Sequence, residues 1–225
     1  MALIQIKNLT KIYSEKNSTV QTKALDSINL EIERGEFTAI AGPSGSGKTT
    51  LLNIIGALDY PTSGQIIIDN YNLSSMTQKA FAEFRLHKIG FVFQSYNLIN
   101  TLTALENAEY VMLLQAINKR ERRLKAEKIL SEVGLANKLS HFPNQLSSGE
   151  QQRVAIARAI APMPLIILAD EPTANLDSQT GAMLINLMKE LNEKKQVTFI
   201  LATHDPMVMA KAKRLINLKD GRIIS

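Results

Sequence analysis

Residues Ala41–Thr50 read AGPSGSGKTT, directly after the short apolar run Phe37–Ala41 and at the head of the helical run Thr50–Ala57. The pattern Gly42-x-x-x-x-Gly47-Lys48-Thr49 demands a strand, a tight loop and a helix in that order. Glycines 42, 45 and 47, with Pro43, Ser44 and Ser46 between them, let backbone N–H groups wrap phosphate oxygens. The following helix directs its positive end at the same oxygens, Lys48 balances charge, Thr49 offers a hydroxyl to Mg²⁺, and Thr50 continues the helix. A glycine-rich turn with no ligand would need neither Lys48 nor Thr49.

Two further runs, Leu165–Ala169 and Val197–Ala202, share the mostly apolar character of Phe37–Ala41 and are expected as buried strands of a parallel sheet. Helical stretches separate the three, which argues for an α/β core. Leu3–Ile6 and Ile28–Ile32 alternate apolar and polar residues instead, as half-buried strands do, with a turn at Glu33-Arg34-Gly35-Glu36. Thr103–Ile117, Lys119–Val133 and Glu150–Ile160 read as helices; Thr103-x-x-Glu106 is a capping box and Gly134 closes the second. A helical subdomain is therefore expected at about 96–161, inserted into a core of about 1–95 and 162–225, the whole forming a single domain over 1–225. Ser14–Lys23 reads as a polar loop.

With 225 residues and 45% apolar composition the chain has ample material for a sizeable core. The absence of cysteine excludes disulfides and thiolate metal sites. No apolar run approaches the roughly 20 residues that span a bilayer, and MALIQIKNLT has no leader pattern, so a cytoplasmic location is expected. A formal charge of +5 favours anionic partners without choosing among them.

A phosphate loop alone does not separate a kinase from a motor. LIILADEPT places Asp170 and Glu171 at the C-terminal end of an apolar strand, where such sheets present ligands. Asp170 suits Mg²⁺ through the metal's water shell, and Glu171 suits an attacking water as base. In NQLSSGEQQRVAIARAI, Ser147-x-x-Glu150 fits a capping box, and the same helix start would equally serve an anion. The two readings stay open on composition alone.

The ordered set Gly42–Thr49, Gln94, Leu146-Ser147-Ser148-Gly149-Glu150, Leu165–Glu171, Asn175-Leu176-Asp177 and Thr203-His204-Asp205 resembles the nucleotide-binding subunit of an ABC transporter over nearly the whole chain. The resemblance implies a P-loop NTPase (RecA-like) fold with a mainly parallel sheet, an N-terminal antiparallel β element and an inserted helical subdomain. It implies ATP as ligand with Mg²⁺. Tyr13 matches the aromatic residue that stacks on adenine, Gln94 the glutamine that touches Mg²⁺ or water, and Asp170 the Mg²⁺-associated aspartate. Glu171 matches the catalytic glutamate, Asp177 the loop across the dimer interface, and His204 the histidine at the γ-phosphate.

Two such subunits pack head to tail, so Ser147 and Gly149 would serve the nucleotide of the opposite copy. This chain departs from the family's Leu-Ser-Gly-Gly-Gln: Ser148 replaces the first glycine and Glu150 the glutamine. A side chain at 148 is expected to crowd the γ-phosphate, and a carboxylate at 150 to repel it if it faces it.

Within the family, the chain resembles the branch of lipoprotein-release, macrolide-export and antimicrobial-peptide-resistance ATPases and the cell-division ATPase with an FtsX-like permease. A permease helix is accordingly expected near Gln94–Leu105, and no nucleic acid. The subunit would be peripheral on the cytoplasmic face of the membrane. The alternative from another class is a soluble ABC-type ATPase acting on nucleic acid, ribosomes or cluster assembly. Against it stand one nucleotide module, no coiled-coil insertion and no cysteine ligand. Asn118–Lys128, rich in Lys and Arg, reads as a solvated helix with Glu121 and Lys125 paired i,i+4, and Met183, Met188, Met207 and Met209 read as packing residues.

Overall fold

Residues 2–14 and 21–224 are described by a computed structural model. In chain order the elements are β1 (Ala2–Ser14), β2 (Gln21–Glu33), β3 (Phe37–Ala41), α1 (Lys48–Ile55), β4 (Ser63–Ile68), β5 (Tyr71–Asn72), α2 (Gln78–Lys88), β6 (Ile89–Val92), α3 (Ala104–Leu114), α4 (Lys119–Glu132), α5 (Ser148–Ile160), β7 (Ile166–Asp170), α6 (Ser178–Lys195), β8 (Thr198–Thr203), α7 (Pro206–Lys211), β9 (Arg214–Lys219) and β10 (Arg222–Ile224). They group into two units, Met1–Arg85 with Thr198–Ser225, and Leu86–Val197.

In the first unit β1 is the centre of an antiparallel sheet ordered β2-β1-β4-β5. Ile4, Ile6, Leu9, Leu25, Ile28, Ile32, Ile66 and Ile68 are all buried; Ile4 with Ile6, Ile28 with Ile32 and Ile66 with Ile68 follow period-2 alternation, and register shifts after Ile6 bring Leu9 and Leu25 into the same set. Of the expected polar loop Ser14–Lys23, Ser14 and Gln21–Lys23 belong to strands instead. Ser14 pairs with Gln21, Tyr13 with Thr22 and Ile12 with Lys23, so ladder bonds extend both strands through polar residues; residues 15–20 lie outside the described residues.

The same unit holds β3 between two parallel neighbours, β8 and β9. Strands covered on both sides carry apolar residues without alternation, and every residue of β3 and β8 is buried. Phe37 and Phe199 meet there with centroids 5.6 Å apart. β10 closes the edge antiparallel to β9.

In the second unit β6 and β7 pair in parallel, and α3, α4 and α5 pack on one another. The expected helices are present: Thr103 forms the complete capping box with Glu106, and Gly134 follows α4 at φ 76°. α5 lies close on β6, where a Cβ on Gly90 would meet the Ala159 carbonyl at 2.5 Å. Met188 is fully buried on α6, but Met183 is 54% exposed and is not the packing residue expected, because it falls on the helix face opposite Leu184, Ile185, Met188 and Leu191.

Candidate functional site

β3 ends at Ala41 and α1 begins at Lys48, so Gly42–Gly47 form the loop between them. Gly47 is the N-cap at φ 103°, and a Cβ there would stand 2.5 Å from the Ala24 carbonyl oxygen, so glycine is required. A glycine cap offers no side-chain acceptor, and the first turn of α1 holds no acid. By contrast α3, α4, α5, α6 and α7 begin with Thr103, Asn118, Ser147, Asp177 and Asp205, each accepting from a first-turn N–H. The positive end of α1 is thus left to something other than its own side chains, which suits phosphate.

The loop's side chains fit that reading. Lys48 is 7% exposed, and its ammonium donates to the carbonyls of Gly42 at 2.8 Å and Pro43 at 3.0 Å. A buried cation held by neutral carbonyls attracts an anion. Ser46 is buried and its Oγ has no hydrogen-bond partner. Pro43, Ser44, Gly45 and Thr49 are exposed, and Thr50 is half-buried.

Tyr13, near the end of β1, presents an exposed ring and a tethered hydroxyl. The hydroxyl donates to Asp59 Oδ2 at 2.7 Å and also meets Thr50 of α1. Burial, then the bond to Asp59, pushes its pKa up. Lys11 stands over the ring at 4.8 Å from its centroid and donates to Asp59 Oδ1 at 2.6 Å. Burial raises the Asp59 carboxyl, but the hydrogen bonds from Lys11 and Tyr13 outweigh it and hold it below the usual range. His204 in the same unit is exposed just beyond β8, where Asp205 N–H donates to Thr203 Oγ1 at 3.0 Å and Asp205 caps α7.

In the second unit Asp170 ends β7 half-buried, and Glu171 follows at φ 47°. A side chain in the left-handed region costs about 1–2 kcal/mol, a strain typical of sites whose geometry matters more than comfort. Gln152 of α5, fully buried, donates to the Pro172 carbonyl at 2.8 Å and to the Phe93 carbonyl at 3.3 Å. Arg158, a helical turn and a half further on, donates to the carbonyls of Tyr96, at 2.8 Å, and Asn97. Both acceptors have positive φ, 58° and 48°. Burial pulls the Arg158 pKa down. Gln94 itself is exposed, and its carbonyl accepts from Asn175 Nδ2 at 2.9 Å. One helix therefore grips both the segment after β6 and the segment after β7.

The start of α5 is the predicted capping box. Ser147 Oγ accepts from Glu150 N–H at 3.3 Å, and the Glu150 carboxylate accepts from Ser147 N–H at 2.9 Å. That backbone bond, with Lys138 at 3.5 Å, holds Glu150 below the usual carboxylate range against burial. Ser148 is exposed and Gly149 buried. Asp177 caps α6, accepting from the N–H groups of Gln179 at 3.0 Å and Thr180 at 2.9 Å and from the Thr180 hydroxyl at 2.5 Å. Those bonds, that hydroxyl's first, hold its carboxyl low. On α4 the expected Glu121 and Lys125 pair is present at 2.6 Å on an exposed surface. Lys11, Asp59, Gln152, Arg158 and Thr180 belong to no short motif; only their contacts bring them into view.

A strand, a glycine-capped helix and a buried lysine at the helix's first position define a phosphate-loop nucleotide-binding protein. The family model described as ABC transporter matches residues 25–174. An uncharacterized ABC transporter ATP-binding protein of Methanocaldococcus jannaschii is 50% identical over 222 residues, 99% of this chain and 98% of that one. The macrolide export ATP-binding/permease protein MacB of Campylobacter jejuni is 46% identical over 223 residues, 99% of this chain but 34% of its own length. Among solved structures, the ATP-binding cassette MJ0796, a dimer in a post-hydrolysis state bound to ADP and Pi, superposes with a TM-score of 0.89 at 47% identity, covering 99% of this chain and 97% of that one. The chain belongs to the ABC transporter family, and its fold is that of the ATP-binding cassette.

Proposed function

We propose that the chain is the ATP-binding and hydrolysing subunit of an ABC transporter, closing as a head-to-tail pair on ATP to drive a membrane permease. The observation that carries this reading is the start of α1, the helix without a side-chain cap, with Lys48 buried against its own loop. MJ0796, similar over almost its whole length, is a dimer with ADP and Pi, which supports both hydrolysis and pairing.

In this reading Gly42–Thr50 bind the phosphates and Tyr13 the adenine. Lys48 and His204 balance the charge that develops on the γ-phosphate. Glu171 accepts the proton of the attacking water. Ser147, Ser148, Gly149 and Glu150 begin the helix that meets the nucleotide of the other copy, and Asp177 lies in the segment facing that copy. The donors Thr49, Gln94 and Asp170 are few and all oxygen-bearing, and no cluster of three or more His, Cys, Asp or Glu able to hold a metal occurs among the described residues. Such a set fits Mg²⁺, which takes most of its ligands from phosphate and water. When bound, the ion would neutralise phosphate charge.

No described helix is long and apolar enough to cross a membrane; in this reading the cassette works peripherally on the cytoplasmic face against a membrane permease. A cavity of about 360 Å³ lined by Phe91, Phe93, Asn97, Ile99, Tyr110 and Leu114 adjoins the expected docking segment Gln94–Leu105. Its apolar walls suit a short permease helix. The likeness to MacB supports a permease of that type.

The test is Glu171→Gln. ATP binding should persist while turnover falls by about 100-fold or more, the usual contribution of a general base. Normal turnover would remove Glu171 from its role. Because the chain has no cysteine, single cysteines at positions 95–105 give unambiguous crosslinks, and failure of all of them to reach a membrane protein would exclude that docking segment.

A further inference from the structure

We infer that Asp59 and Lys11 are positioning residues for the nucleotide base, fixing the ring of Tyr13 in one orientation and leaving one of its faces for stacking. The inference rests on the reading of Tyr13 as the adenine platform and goes beyond it.

The Asp59 carboxylate is shared among three donors. Oδ2 accepts from the Tyr13 hydroxyl at 2.7 Å, and Oδ1 accepts from Lys11 Nζ at 2.6 Å and from Tyr60 N–H at 2.8 Å. Lys11 completes the figure by donating also to the Tyr60 carbonyl at 2.7 Å and standing over the Tyr13 ring at 4.8 Å. An ammonium over one ring face is attractive in its own right, and it occupies that face, so a base can stack only on the opposite one.

The clamp is anchored to the phosphate-binding helix. Asp59 and Leu58 N–H groups both donate to the Asn53 carbonyl in α1. Thr62 holds the strand immediately before Tyr13, its Oγ1 accepting from Ile12 N–H at 2.9 Å. α1 has eight residues, about 12 Å at 1.5 Å per residue. Its first residue follows the phosphate loop, its Thr50 meets the Tyr13 hydroxyl and its Asn53 carbonyl holds Asp59. The spacing between the two parts of the nucleotide is thereby set by one rigid element, and an otherwise exposed tyrosine is spared the entropy of being ordered on binding.

Lys11 and Asp59 side chains are 12% and 28% exposed, so the ion pair is partly shielded and its loss matters more than that of a surface pair. Tyr13→Phe removes only the hydroxyl, whereas Asp59→Ala releases both partners.

The experiment measures dissociation constants of the full chain for ATP and for inorganic tripolyphosphate, each with Mg²⁺, and the melting temperature of every variant. Asp59→Ala, Lys11→Met and Tyr13→Phe should each weaken ATP by about three- to tenfold, the effect of one ordinary hydrogen bond. Tripolyphosphate, which has no base, should change by less than about twofold, a difference well under a hydrogen bond. Tyr13→Phe combined with Asp59→Ala should lose little more than Asp59→Ala alone. Equal weakening of both ligands would make the clamp a merely structural support and overturn the inference. Unchanged ATP affinity in Asp59→Ala, with a large loss in Tyr13→Ala, would overturn the clamp and leave the platform. Unchanged ATP affinity in Tyr13→Ala would remove the platform and the clamp together.

Discussion

The Cγ2 methyl of Thr180 stands 2.7 Å from the point at which a Cβ on Gly149 would project. The hydroxyl of the same threonine donates to Asp177 at 2.5 Å. One side chain thus joins the first turn of α5 to the cap of α6, and the glycine is needed for packing before any question of ligand arises. Gly47 and Gly149 differ: Gly47 is required by positive φ as well as space, Gly149 by space alone.

Gly149→Ala should accordingly cost about 1–3 kcal/mol, the usual penalty of overpacking. Thr180→Ser removes the offending methyl and keeps the hydroxyl, so the double variant should recover most of the loss. Chemical denaturation of the four proteins in that cycle checks it; a double variant no more stable than Gly149→Ala would refute the contact.

Glu171→Gly separates backbone comfort from chemistry. At φ 47° the glutamate is strained, and glycine should regain about 1 kcal/mol, less some of that through its freer unfolded chain. Turnover should be lost. A melting temperature that falls would show that the side chain stabilises the turn more than the conformation costs.

The capping box of α5 predicts a pH dependence. Glu150 has a folded-state pKa below its unfolded one, chiefly through the Ser147 N–H. Its contribution to stability is therefore complete above the unfolded value and is lost as pH falls through the folded value. Glu150→Gln should remove that contribution and be nearer wild type in acid than at neutral pH. Ser147→Ala should cost about 1 kcal/mol at neutral pH. Urea melts at pH 3 to 7 resolve both.

Ser148→Gly addresses the departure from the family pattern. Glu150 is turned back onto Ser147 and Lys138, which leaves the exposed Ser148 side chain as the feature that would meet an incoming γ-phosphate. The variant should strengthen ATP-driven dimerisation in a Glu171→Gln background, measured by sedimentation; unchanged dimerisation would mean that the hydroxymethyl group is accommodated.

Some of this was legible in the residues because the physics is local. Gly42–Thr49 needs only a strand, a loop and a helix in succession, and each capping box closes within four residues. The buried strands announced themselves by unbroken apolar runs. β4, β9 and β10 did not, since short strands of mixed character take their pairing from distant partners, as Ile4 with Ile68 and Thr38 with Arg214. α2 carries little apolar periodicity, with Phe81 and Phe84 its buried residues, whereas Asp177 before an apolar 3-4 spacing signals α6.

What the sequence by itself determined was the family, the loop between β3 and α1 and the helix caps, because backbone reach and side-chain chemistry act over a few residues. What only the tertiary structure decided was how those residues are held. Asp59 reaches Tyr13 across 46 positions, Gln152 reaches Phe93 across 59 and Arg158 reaches Tyr96 across 62. Such contacts are selected by the closure of the whole chain around its core, and no local spacing encodes them.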